Sequence, residues 1–324
     1  MKYKVTKKFS LIAILLLFAF CGHSQRASQR SSQQATAPTY DFATAEVKLA
    51  ELFEIAVRGE NEHIRYNANE RFLTLLKSTL AENGAFDFPF ESVRAEKLMA
   101  PDRKFRMFNW VIQREQGMEF FAVMMVYIER TREYRIIQLI DENETIFDLD
   151  HAILGKDNWF GAHYRQVILT ESGSRKYYTL IGWNGNDRAV TRRVIEILTF
   201  RPNGDPVFGA AIFTGLRGRR ERITRKVFEH RRRSSMILRY DFQAYHEPIG
   251  TPRPGQRQRE RLVRTNMIVF DRLIPQSPEL RGRRETYIAA GGVYDAFVWK
   301  NGRWTLKTDI RARNPDPPRN RRRR

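Results

Sequence analysis

The chain has one cysteine in 324 residues, Cys21, and it lies inside the N-terminal leader. Disulfide stapling of the mature protein and catalysis by a cysteine nucleophile are both excluded on that count. No apolar run reaches the roughly 20 residues that cross a bilayer as a helix; the longest, Phe9–Phe20, has twelve. No G-x-S-x-G elbow occurs, the nearest stretch being Glu171-Ser172-Gly173-Ser174 in an expected turn. Gly204 and Gly209 lack the Lys-Ser/Thr companion of a phosphate loop, so no nucleotide cofactor is expected. His63, His151, His163, His230 and His246 form neither H-x-H nor H-E-x-x-H, and no metal site is expected. The run Asp141–Asp150 falls short of a calcium loop, with Ile146 at the glycine position and Ala152 at the final glutamate. Acidic residues are scarce too: 37 stand against 57 Lys and Arg, a formal charge of +20.

What is present begins with a targeting signal. Lys2, Lys4, Lys7 and Lys8 precede the apolar run, and Gly22 and Ser24 place small residues before Gln25, so cleavage is expected near Ser24/Gln25. Export to the periplasm or the medium follows. Cys21 offers an alternative, acylation as a lipoprotein, which the bulky Phe20 before it disfavours. Loss of residues 1–24 takes four lysines and no acids, leaving 53 basic residues against 37 and no transmembrane segment. Residues 25–40 are Ser/Gln-rich and read as a flexible linker, residues 41–313 as one β-rich domain, and residues 314–324 as a disordered basic tail.

Within the domain two amphipathic helices come first. Leu49, Leu52, Phe53, Ala56 and Val57 share a face behind an N-cap at Asp41 or Thr44, and Gly59 ends that helix. Phe72, Leu73, Leu75, Leu76 and Leu80 share the second face, stopped at Asn83-Gly84. From Lys104 the period falls to two, and eleven or twelve strands are expected up to Ile310. The organising stretch is Arg175–Phe213, three apolar runs separated by Asn-Gly-Asn-Asp and Pro-Asn-Gly-Asp-Pro, which reverse the chain into a meander. Lys300-Asn301-Gly302-Arg303 predicts a two-residue type I′ hairpin. The fold class is α+β, mainly antiparallel β: a sandwich, a barrel or a large curled sheet, with a propeller-like arrangement also compatible.

Asp157–Arg165, Lys176–Asp187, Met236–Asp241, Ile268–Pro275 and Tyr294–Trp304 carry a resemblance in their order and spacing. Over roughly residues 100–314 the chain resembles a family of uncharacterised exported proteins of Bacteroidetes. The resemblance implies a secreted or periplasmic β-rich protein and brings no catalytic residue, cofactor or substrate.

Two candidate sites emerge. Trp159, Tyr164, Trp183, Asn184, Asn186, Asp187 and Asp295 combine aromatic faces with amide and carboxylate groups, the chemistry that binds sugar hydroxyls or supports a hydrolase near Trp183 and Asp187. The same residue types also make tight turns and sheet cores. The second site is charge: residues 217–264 hold fifteen Arg/Lys against five acids. Arg219, Arg220, Arg231, Arg232, Arg233, Arg257, Arg259 and Arg261 suit polyanions, because guanidinium forks bind phosphate and carboxylate bidentately. An exported protein meets lipid A phosphates, acidic polysaccharide or extracellular DNA. No base-stacking motif is interleaved with the arginines, so specific nucleic acid recognition is not expected, and the segment reads either as a solvated basic surface or as a site for an anionic envelope polymer. The first expectation for function is a structural or binding role at the cell envelope without catalysis, with polyanion binding and a hydrolase near Trp183 and Asp187 as the alternatives.

Overall fold

The computed structural model describes residues 40–185, 187–216, 222–251, 255 and 257–310, all within a compact unit that begins at Tyr40. The expected leader, the linker up to Thr39 and the tail lie outside the described residues, as do Asn186, Arg219 and Arg220.

Helix α1 (Phe42–Arg58) starts where Asp41 accepts the Thr44 amide at 3.0 Å, and it ends at Gly59 as expected. Helix α2 (Glu62–Leu80) is capped by Asn61, whose side chain accepts from Ile64. Each cap satisfies one of the amides that a helix start leaves without an intrahelical partner. Among the described residues no helix is long and apolar enough to cross a membrane.

The helices cover one face of a first antiparallel sheet, in the order β1 (Glu96–Met99), β2 (Phe105–Gln113), β3 (Met118–Ile128), β4 (Glu133–Leu139). Both faces of β2 and β3 are buried. Phe108, Trp110, Ile112, Val123 and Met125 pack on the helices. Phe105, Met107, Phe120, Met124 and Val126 pack the other way, onto a second sheet. That sheet holds β5 (His163–Ser172), β6 (Arg175–Asn184) and β7 (Val190–Phe200), of which β6 and β7 are the first two runs of the expected meander. Its far edge is shared, with β8 (Pro206–Phe208) along the end of β7 and β10 (Lys226–Arg231) along its start.

The third sheet runs β11 (Leu238–Ile249), β12 (Arg259–Pro275), β13 (Tyr287–Lys300), β14 (Arg303–Ile310), then β9 (Phe213–Thr214), which joins β14 in parallel. Ile195, Ile197 and Phe228 of the second sheet meet Ile268, Phe270, Phe297 and Trp304 of the third. The third sheet also curls over its own outer face. Tyr245 and Glu247 on β11 reach Lys307 on β14, three strands away, and Met267, Val269, Ala296 and Val298 are buried beneath. The result is a helical layer on three stacked, mostly antiparallel sheets with one curled edge. Among the described residues, barrel closure and a propeller arrangement are not found.

Polar side chains pin the layers together. Asn109, fully buried on β2, exchanges two hydrogen bonds with the Tyr164 backbone of β5 at 2.9 and 3.2 Å. Trp110 Nε1 donates to Asn69 of α2 at 2.9 Å, and Trp304 Nε1 donates to Thr179 of β6 at 2.9 Å. Each indole thus contributes burial plus a satisfied donor. Arg106 donates to the carbonyls of Ala85, Phe86, Phe88 and Pro89, holding the segment between α2 and β1, and burial pulls its guanidinium down to about 10.

Two expectations are corrected. The run Trp159–Thr170, read in the sequence as one of the eleven or twelve strands, enters the sheet only at His163, with Trp159 making a single bridge to Asp141. The run Val207–Phe213 is broken by Gly209, whose φ of +106° favours glycine and whose added Cβ would lie 2.8 Å from the Ala152 carbonyl.

Candidate functional site

The aromatic and acidic residues singled out in the sequence do not converge. Trp159 and Tyr164 are both fully buried between the first two sheets, with Trp159 Nε1 3.3 Å from the Tyr164 hydroxyl. Burial this complete makes them core, not a ligand platform. Trp183 is half-buried and donates to Thr191 Oγ1 at 2.6 Å. Asn184 is buried and donates to the Gly161 carbonyl. Asp187 accepts the amides of Ala189 and Val190 at 2.7 and 2.8 Å, the pattern of a turn held by its own side chain. Asp295 lies on the third sheet, where Arg272 grips it with two bonds and the Asp309 amide donates to it at 3.0 Å.

The arginines divide as well. Arg232 Nη1 donates to the carbonyls of Gly185 and Asp187 at 2.9 and 2.6 Å, closing the β6–β7 loop. Arg261 makes two bonds to Glu247, whose carboxylate Lys300 and Arg261 hold down to about 2. These two are spent on structure. Arg231, Arg233, Arg257 and Arg259 remain exposed, and Arg231 and Arg233 line a cavity of about 420 Å³ with Ser234 and Ser235.

A concavity of about 1030 Å³ lies elsewhere. It opens where three turns meet at one end of the stacked sheets. In a meander alternate turns share an end, which places the β5–β6 turn (Ser172, Ser174, Arg175) beside the β7–β8 turn (Arg201, Pro202). The β13–β14 turn (Asn301, Gly302, Arg303) forms the remaining wall. Asn301 and Gly302 both have positive φ, 52° and 73°, as the expected type I′ turn requires. A Cβ on Gly302 would lie 2.1 Å from Ser172 Oγ, so glycine permits the two hairpin tips to touch.

Five cations and two carboxylates line this groove. Asp102 accepts Lys176 Nζ at 2.8 Å and the Tyr178 hydroxyl at 3.0 Å. Burial alone would raise Asp102, yet those bonds more than offset it and hold the carboxyl below its ordinary range. Lys104 Nζ donates to both oxygens of Glu129 at 2.8 Å and sits 5.8 Å from the Phe200 ring. The carboxylates are therefore neutralised by the lysines. Arg175, Arg201 and Arg303 are exposed and have no ion-pair partner among the described residues. Burial and the neighbouring Asp102 push Tyr178 up, so it stays a hydrogen-bond donor. At neutral pH the groove therefore holds Asp102 as a carboxylate and Tyr178 as a protonated phenol.

Sequence reasoning missed this site because it weighed dense charge above placement. A usable signal existed: Arg175, Arg201 and Arg303 each stand one or two residues from a turn-forming Gly or Pro. Comparison with protein-family models, curated proteins and solved structures found no match.

One titration on the second sheet has a measurable consequence. Burial, then the Arg165 charge, pulls His163 down to about 4. A folded-state value below the unfolded one near 6.5 favours the neutral ring, so stability is full above that value and lost as pH falls toward 4. The loss should be on the order of 2–3 kcal/mol. Urea unfolding across this window should show His163→Gln losing distinctly less stability than the parent; equal slopes would refute the assignment.

Proposed function

We propose that this is an exported, envelope-associated protein that binds an anionic polymer and performs no covalent chemistry. The supporting observation is the trio Arg175, Arg201 and Arg303, without acidic partners on the rim of a 1030 Å³ groove. Guanidinium groups freed from internal pairing retain their full capacity for bidentate bonds to carboxylate, sulfate or phosphate. The reading of residues 1–24 as a cleaved leader, and the resemblance to exported Bacteroidetes proteins, favour a ligand of the cell envelope. Arg231 and Arg233, beside their smaller cavity, support a second anion contact within the Arg-rich 217–264 segment.

Retention on an immobilised polyanion tests the reading. The triple variant Arg175→Gln/Arg201→Gln/Arg303→Gln should elute at distinctly lower salt than the parent. Arg231→Gln/Arg233→Gln should shift elution less. Arg272→Gln, a change outside both surfaces, controls for altered stability. Unchanged elution of the triple variant, with its circular dichroism intact, would overturn the groove as the binding site.

A further inference from the structure

We infer that the groove takes an acidic polysaccharide, a chain of sugars bearing carboxylate or sulfate groups; the inference rests on the anion-binding reading above. Three kinds of surface line the groove. Half-buried Tyr177 faces the third sheet, its ring centroid 6.3 Å from that of Trp299, and half-buried Phe200 lines the groove from the opposite face of the second sheet. Ser172, Ser174 and Asn301 add short neutral side chains, each a hydrogen-bond donor and acceptor. The three exposed arginines supply the charge.

A sugar ring presents the same sequence of surfaces. Its axial C–H face is apolar and suits an aromatic plane, its hydroxyls are paired donors and acceptors, and an acidic substituent projects outward from the ring. A single strand of nucleic acid asks for something else, a series of exposed rings on which successive bases stack. The groove offers Tyr177 and Phe200 only half-exposed, with Tyr178 buried and committed to Asp102. An acylated lipid asks for an apolar sleeve, whereas this concavity is lined by five cations, two carboxylates and short polar side chains. Its volume, about 1030 Å³, is at the upper end of ligand sites and accommodates several sugar units.

The decisive experiment is calorimetric titration of the full mature chain with four probes: a galacturonate hexamer, its methyl ester, a heparin hexamer and a single-stranded DNA 12-mer. The galacturonate or heparin hexamer should bind at least tenfold tighter than the DNA at equal ionic strength, and the methyl ester at least tenfold weaker than the free acid. Tyr177→Ala should weaken the hexamers about tenfold while leaving DNA binding unchanged. Should that variant fail to fold, the ester comparison still decides. Equal binding of DNA and hexamers, lost together in the triple arginine variant, would sink the polysaccharide assignment and leave the anion groove standing. If no probe binds, or if binding survives the triple variant, both readings fall.

Discussion

Replacing Arg225 by methionine should lower unfolding free energy by about 3–5 kcal/mol, the usual cost of leaving one member of a buried ion pair alone. Arg225 and Glu196 are both fully buried, with Nε 2.5 Å from Glu196 Oε2. Arg225 also donates to the carbonyls of Leu149 and Ala152 at 2.8 and 3.2 Å, and the Ile197 amide donates to the other Glu196 oxygen at 3.0 Å. Burial raises Glu196, and Arg225 opposes that rise. Without the guanidinium the carboxyl folds protonated, with its folded-state value above the unfolded one. The variant's stability should then grow as pH falls toward the carboxylate range, the reverse of the dependence that His163 imposes. Glu196→Met/Arg225→Met should recover much of the loss, because two apolar side chains need no mutual compensation. Denaturant unfolding of the three proteins measures each step. A loss below about 1 kcal/mol for the single variant would mean that water, not Glu196, satisfies Arg225.

The second large effect is expected at Gly161. Its φ of +66° strains any other residue, and an added Cβ would lie 2.1 Å from Asp141 Oδ1. The carboxylate has nowhere to go. It accepts the Phe120 amide at 3.0 Å and the amide and side chain of Asn143 at 3.1 and 2.8 Å, while burial raises it. Gly161→Ala should therefore cost at least about 3 kcal/mol, the sum of left-handed backbone strain and a displaced buried hydrogen-bond acceptor. Gly282→Ala is the matched control. There φ is +93° and no atom lies within 4 Å of the added Cβ, so about 1 kcal/mol is expected. Equal losses at the two positions, by thermal or urea unfolding, would refute the packing argument.

Local structure was more legible than assembly. Asp41 and Gly59 follow directly from capping chemistry. The positive φ of Asn301 and Gly302 follows from the dipeptide alone. The four-residue β1 was missed because Glu96-Lys97-Leu98-Met99 is too short to show a period. The three-sheet stack could not be derived, since β2 and β3 are apolar on both faces. A run of that kind announces depth without naming what lies on either side. The candidate aromatic site failed for a related reason: Trp159 and Tyr164 carry polar atoms that satisfy each other inside the core, and composition does not distinguish that from a ligand platform. The groove escaped notice because its arginines are far apart in the chain and become neighbours only when three turns arrive at one end.

That meeting of turns would tie occupancy by the proposed ligand to the mechanical unity of the fold. The two tips touching through Gly302 and Ser172 belong to separate sheets, and Asp102 and Lys104 come from the first layer. A chain lying across them would act as an external strap on all three sheets at once. At a hundredfold excess over the dissociation constant such a strap adds about 2.7 kcal/mol to the resistance against unfolding. Saturated protein should melt as a single cooperative block, even under conditions where the empty protein frays one sheet at a time.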